Sequence, residues 1–189
     1  MINKPPGKRR HGRELAVQFL FVLDHNRGPL EQTLASFLGF QRENGELLFS
    51  NEPAREFGEK LIRGVVEHWD VLDQHIKDAT ANFNLQRIGG IERAVLRLGI
   101  YEMFHCLDVP PVVAINEAVD VAKKFVGDDA GRFVNGVLDR IRHSLKRPAR
   151  TAAAPTDFLD QQMARAAQEL GESAGPDTSS GSTPPPPVD

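Results

Sequence analysis

The stretch from Ile91 to Leu107 constrains the fold more than any other part of the chain. Its spacing predicts a helix with Ile91, Ala94, Val95 and Leu98 on one face and Leu96, Ile100, Met103, Phe104 and Leu107 on another. A helix that is apolar on two sides needs neighbours on both, so it belongs at the centre of a helical fold. Only Glu92, Arg93, Arg97 and Glu102 interrupt it with charge. The flanking segments read as helices too. One is expected from Arg10 to His25, with Ala16, Phe19, Leu20 and Leu23 on its buried face, stopped by Gly28-Pro29. A short one covers Leu30 to Leu38, and Phe40 to Asn51 reads as a loop with Leu47, Leu48 and Phe49 as candidates to pack down. Pro53 suits a first helical turn and opens a pattern that runs to Ala79, broken near Trp69-Asp70. After Asp108-Val109-Pro110-Pro111, a helix carries Ile115, Ala118, Val119, Ala122 and Phe125 up to Gly127. The last begins near Asp129 and carries Val134, Val137, Leu138, Ile141 and Leu145. No period-2 alternation argues for a strand. The expectation is an all-α single domain of about seven helices.

The ends differ from this body. Seven of the 13 prolines fall in residues 146–189, mixed with Ser, Thr and Gly, a composition that buries too little apolar surface to offset its ordering entropy. This tail is expected to be mostly disordered. Leu159, Met163, Ala166 and Leu170, behind Thr156 as a helix cap, mark a short amphipathic helix over 157–170 whose docking the sequence leaves open. Residues 1–8 read as a flexible basic arm, leaving 9–145 as the folded domain. The most apolar run, Leu15 to Leu23, contains Gln18 and is far short of the roughly 20 residues that span a bilayer. No apolar stretch with a cleavage site follows the basic start, so no secretory signal is read. The expected location is the cytoplasm, with no membrane partner.

An enzyme leaves traces that are missing here. The six histidines are scattered, and none pairs with another and a Glu at the spacing of a helical zinc site. His68 and His75 lie about 10 Å apart if one helix carries both, too far to share a metal. No phosphate-cradling Gly-Lys-Ser/Thr loop and no nucleophile elbow occur, and Gly89-Gly90 reads as a helix boundary. Cys106, the single cysteine, reads as a buried structural thiol. No catalytic residue, metal or cofactor is therefore expected.

A formal charge of −3 conceals an asymmetry. Lys4, Lys8, Arg9, Arg10 and Arg13 oppose only Glu14 in the first 14 residues, whereas the body is acidic. On a helix Arg9, Arg10 and Arg13 share a stripe. Three close arginines repel one another unless an anion neutralises them, and either a phosphate or plain hydration of a frayed helix end answers that need. Phe133 sits about 100° from the stripe that begins at Val134. Beside Arg132 and near a helix start, it suits either stacking on a base or a second packing surface. Asp128 and Asp129 fit the dipole of that helix start but repel phosphate.

Several ordered blocks carry a family signature: Ile91-Glu-Arg-Ala-Val-Leu-Arg-Leu-Gly-Ile-Tyr-Glu-Met103, Asp108-Val-Pro110, Val113-Ala-Ile-Asn-Glu-Ala-Val119, Ala122-Lys-Lys-Phe125 and Arg132-Phe-Val-Asn-Gly-Val-Leu-Asp139. With Arg9-Arg-His-Gly-Arg-Glu14 at the start, the chain resembles the NusB transcription antitermination family over about residues 8–145. The resemblance implies two packed helical subdomains that bind RNA without catalysis. It implies partners as well: boxA-type RNA in nascent ribosomal RNA transcripts, the small-subunit ribosomal protein NusE, and the RNA polymerase elongation complex with other Nus factors. Carried over residue by residue, it assigns RNA binding to Arg9, Arg10, Arg13, Asp129, Arg132 and Phe133, and partner binding to Phe21 and Glu92. Two departures bear on affinity: His11 stands where an arginine is common, and Phe21 where a tyrosine is frequent. Asn116 and Asn135, inside the signature, are expected to be buried amides that fix helix register. The alternative is a stand-alone helical RNA-binding adaptor, using the fold found beside ribosomal RNA methyltransferase domains. No methyl-donor α/β domain is expected in 189 residues already filled by helices and tail.

Overall fold

The computed structural model describes residues 7–26, 28–43, 52–80 and 84–145, all within the compact unit spanning 1–153. They form α1 (Lys8–Asn26), α2 (Leu30–Glu43), α3 (Glu52–Glu67), α4 (Trp69–Ala79), α5 (Gly90–His105), α6 (Pro111–Phe125) and α7 (Asp128–Arg142). A 3-10 turn, Leu85–Arg87, precedes α5, and no strand occurs among the described residues. The fold is all-α, as the periodicity requires. Residues 1–6, 44–51 and 146–189 lie outside the described set, and with them most of the basic arm, Leu47-Leu48-Phe49 and the expected helix over 157–170. Among the described residues no helix is long and apolar enough to cross a membrane.

The centre is α5. It packs against α1, α3, α4, α6 and α7, and so is enclosed by most of the other helices. Ala94, Val95, Leu96, Leu98, Ile100 and Met103 are buried in that position, which is why the segment tolerates so few charges. Arg93, Arg97 and Glu102 among its charges are paired. Arg97, 2% exposed, donates to Asp73 of α4 at 2.6 and 3.1 Å, lies 3.4 Å from Asp24 of α1, and stacks 4.0 Å from the Trp69 ring centre. Arg93 donates twice to Asp24, at 2.9 and 2.7 Å. Burial pushes the Asp24 carboxyl up, but these two guanidinium groups hold it below the usual carboxylate range.

Several boundaries differ from expectation for physical reasons. α2 runs on to Glu43 because Gln41, buried, continues the inward face and donates to the Gln18 side chain at 2.9 Å. The break near Trp69 falls at His68, so no single helix carries His68 and His75. α5 ends at His105, where Cys106 turns away and stays buried; burial, with Glu102 and Asp108 nearby, pushes its thiol up to about 12. The expectation for Asn116 and Asn135 is corrected: both are exposed, and neither side chain has a hydrogen-bond partner among the described residues. Buried ion pairs, not amides, fix the register of the central helices. Gly127 takes φ +131 between α6 and α7, a conformation that side chains rarely adopt, and so permits the reversal that lays α7 along α6.

Candidate nucleic-acid interface

The basic end of α1 is pressed against α3 through glycine. A Cβ at Gly12 would lie 2.6 Å from the Ala54 carbonyl oxygen, and one at Gly58 would lie 2.8 Å from that of Gly12. This close approach places Arg9 and Arg13 over the Phe57 ring, 5.5 and 5.4 Å from its centre. The three arginines then diverge. Arg9 stays exposed and meets exposed Asp108 at 3.0 Å. Arg10 is half-buried, donating to Glu117 at 2.9 and 2.7 Å and meeting Asp120 at 2.7 Å. Arg13, its side chain only 4% exposed, grips Glu102 with three N–H···O contacts of 2.7 to 3.1 Å and lies 3.4 Å from Glu117.

These pairings shift the groups involved. Hydrogen bonding to Glu117 raises the Arg10 pKa further, and in return Arg10 holds the Glu117 carboxyl below its ordinary value. Burial pushes Glu102 up against the pull of Arg13. The anion that the arginine stripe requires is thus supplied, for Arg10 and Arg13, by the chain itself. Glu102 was the sequence signal for this: an acid beyond the first turn of a two-sided apolar helix needs a cation.

Helix α6 joins this end to α7. Lys124, exposed, meets buried Glu14 of α1 at 2.8 Å. Lys123, also exposed, lies 3.7 Å from Asp128, and its stem runs over Gly131, where a Cβ would sit 2.6 Å from Lys123 Cγ. Arg132 pairs with Asp129 one turn earlier, both fully at the surface. Each acid in the first turn of α7 therefore has a cationic neighbour, which reduces the repulsion of phosphate that two bare carboxylates would cause. Phe133 is 36% exposed, off the buried stripe of Val134, Val137, Leu138 and Ile141. Lys123, Lys124 and Phe57 were not singled out in the sequence; Ala122-Lys-Lys-Phe125 was a visible signal for the first two.

Phe21 and Glu92 lie elsewhere, each against a glycine at the start of α5. The Phe21 ring lies 2.8 Å from where a Cβ of Gly90 would be, and it packs on His25 at 4.3 Å between ring centres. The Glu92 carboxylate folds back over Gly89, where a side chain would have to push it aside. The histidines gather differently: His68 lies 4.1 Å from His105 between ring centres, and His105 stacks on Tyr101 at 5.0 Å.

Fold and surface together define a helical binding domain with a basic and aromatic flank. Among the described residues no group of three or more His, Cys, Asp or Glu is placed to hold a metal ion. Comparison with known proteins gives the particular family. The model of the NusB family matches residues 10–143. A transcription antitermination protein NusB of Syntrophotalea carbinolica is 38% identical over 149 residues, covering 74% of this chain and 95% of the relative. That of Bacillus subtilis is 38% identical over 140 residues, covering 74% and 98%. Of solved structures, T. maritima NusB aligns with a TM-score of 0.63 at 32% identity, over 76% of this chain and 95% of that one. A chain from a crystal structure of antitermination factors NusB and NusE in complex with dsRNA aligns with a TM-score of 0.63 at 28% identity, over 73% and 98%. The chain belongs to the NusB family.

Proposed function

We infer that this chain is a transcription antitermination factor that binds boxA-type single-stranded RNA in nascent ribosomal RNA transcripts. It does so with the small-subunit ribosomal protein NusE, and the pair helps the elongating RNA polymerase, with other Nus factors, resist termination in the cytoplasm. The role is binding, not catalysis, and the binding body is residues 9–145. The observation that carries the reading is the flank itself: exposed Arg9 at the start of α1, Lys124 and Lys123 on α6, then Arg132 and exposed Phe133 on α7. Cations that track a backbone and an aromatic that stacks on a base are what a single strand requires. Relatives support an antitermination role with NusE and RNA: their name is transcription antitermination protein, and one solved relative is in complex with NusE and dsRNA. Arg10 and Arg13 contribute from below, by holding the α1 end on α6 and α5. Asp129 positions Arg132. Phe21 and Glu92 mark the surface that binds the ribosomal protein, with His25 packed on the Phe21 ring.

Fluorescence anisotropy with boxA RNA and a scrambled RNA, each with and without the ribosomal protein, tests this. Preference for boxA that sharpens with the partner is expected; equal binding of both RNAs under both conditions overturns the reading in favour of a general RNA adaptor. In the same assay Glu92→Lys is expected to lose the partner's contribution while RNA binds alone as before. A melt of that variant is needed because Glu92, in the first turn of α5, also gains about 0.3–1 kcal/mol from the helix dipole.

A further inference from the structure

Gly136 stands in the middle of α7 on its exposed side, and no atom of the described residues comes within 4 Å of where its Cβ would be. The other glycines of α5 and α7 have packing reasons, whereas Gly39 of α2 is as open as Gly136. Gly99 lies against Leu138 and Ala118, and Gly131 lies under the Lys123 stem. Gly136 has no such neighbour among the described residues, although glycine in a helix interior costs stability relative to alanine. What it does is open the helix backbone onto a trough of about 410 Å³ between α7 and the end of α4. Phe133 and Val137 line the α7 side with Gly136, and Ala79 and Thr80 form the facing wall. Arg132 and Arg140 stand at the two ends, and Arg140 donates to the Ala79 carbonyl at 2.9 Å, which ties the walls together.

A partly exposed aromatic ring, an apolar floor with no side chain at its middle and a guanidinium at each end suit one kind of occupant. A flat heterocycle stacks on Phe133 and lies over Gly136, and the phosphates of its strand fall within reach of Arg132 and Arg140. We propose that this trough is a subsite for one unpaired nucleotide of single-stranded RNA, with Gly136 as its floor and Arg140 as a phosphate ligand. The inference rests on the RNA-binding reading above and adds to it a nucleotide position and two residues. A paired base has its faces covered by its neighbours in the stack, so duplex RNA does not enter the trough.

The test uses the full chain and labelled single-stranded boxA RNA, with anisotropy over a salt series and thermal melts. Gly136→Ala is expected to raise the melting midpoint by about 2–4 °C, because helix propensity improves and nothing clashes. Gly136→Leu is expected to fill the trough and weaken single-strand binding by about fivefold or more, the least that loss of one stacked base costs. Binding of a fully paired RNA duplex should not change. Arg140→Gln should flatten the log–log salt slope by about 0.7, a readout that loss of its bond to Ala79 would not move. If Gly136→Leu does not fold, Gly136→Gln and the Arg140 slope decide. Wild-type affinity in these variants, with Phe133→Ala weakened, overturns the trough and leaves the RNA reading standing. Absence of RNA binding by the wild-type chain overturns both. Retained RNA binding with loss of NusE capture by Gly136→Leu makes the trough a protein surface and overturns the nucleotide assignment.

Discussion

The two arginine-bearing ends of the flank look alike in sequence and differ in structure. At the start of α1, Arg10 and Arg13 are bound to carboxylates of α5 and α6, and only Arg9 of the stripe is exposed. On α7, Arg132 meets a single acid fully at the surface, and Phe133 presents part of its ring to solvent. One end has cationic charge already neutralised within the fold; the other has cationic charge only loosely held. An ion pair between exposed groups contributes about 0–1 kcal/mol and yields readily to a phosphate. A buried bidentate pair does not yield, because separating it leaves an uncompensated charge out of water. Arginine count is therefore a poor measure of phosphate binding. The same residue type, three times within one helical stripe, serves as a surface cation, a half-buried tether and a core strut.

The largest effect that would sharpen this contrast is at Arg13. Arg13→Ala strands Glu102, which is 1% exposed, and is expected to destabilise the fold by about 3–5 kcal/mol. The protein that remains folded should keep its RNA salt slope. Urea unfolding and a salt-series titration separate the two readouts. A stable variant whose slope falls by about 0.7 would mean that Arg13 leaves Glu102 to reach a phosphate, and the contrast between the ends would collapse.

Phe133 comes next. Removing a core phenylalanine costs about 3–5 kcal/mol of stability, whereas removing a ring that stacks on a base costs about 1–3 kcal/mol of affinity. Its exposure argues for the second outcome. Phe133→Ala should weaken RNA binding by that amount with the salt slope unchanged and the melt little altered. A large fall in midpoint with unaltered affinity would return Phe133 to the core.

Much of this was legible in the sequence, and the parts that were not have a common cause. Periodicity located α1, α3, α5, α6 and α7 because each buries an apolar stripe several turns long. It stopped α2 too early because the inward residue that extends it, Gln41, is polar. The position of Phe133 off the stripe of α7 could be read from helix geometry alone. The fate of Arg10 and Arg13 could not, since their partners lie about 90 to 110 residues away, on helices whose rotation only packing determines. The asparagines misled for the same reason: a polar residue within an apolar signature is either a buried amide or part of the solvent face, and spacing does not distinguish the two.

Glu117 offers a smaller test that works in the opposite direction. Its carboxyl is held below the usual range by Arg10, so the stability the pair contributes is present above the unfolded carboxyl pKa of about 4.3. That contribution is lost as pH falls through the lower folded value. Protonation there also loosens Arg10, with only Asp120 left to hold it. Glu117→Gln imposes that state at neutral pH. RNA binding should tighten modestly, with a salt slope steeper by about 0.7 if Arg10 gains one phosphate. The acid-induced loss of stability should be smaller than in the wild-type chain. No change in slope would show that Asp120 alone keeps Arg10 from RNA.

The smallest effects are expected at Asn116 and Asn135, one beside the carboxylates that hold Arg10 and one on the helix that carries Phe133. If these amides fixed helix register, Asn→Ala would leave buried partners unsatisfied and cost about 1–3 kcal/mol each. Both side chains are exposed and have no hydrogen-bond partner among the described residues. Alanine is moreover the better helix former, by up to about 0.7 kcal/mol. Asn116→Ala and Asn135→Ala should each therefore change unfolding free energy by no more than about 0.5 kcal/mol, with a slight gain the expected direction. Urea melts of the two single variants and the double decide this, since sites on separate exposed faces should add. A loss above about 1 kcal/mol at one site only would show that its amide supports that end of the flank from within. The distinction drawn between a neutralised end and an open one would then have to be redrawn around that asparagine.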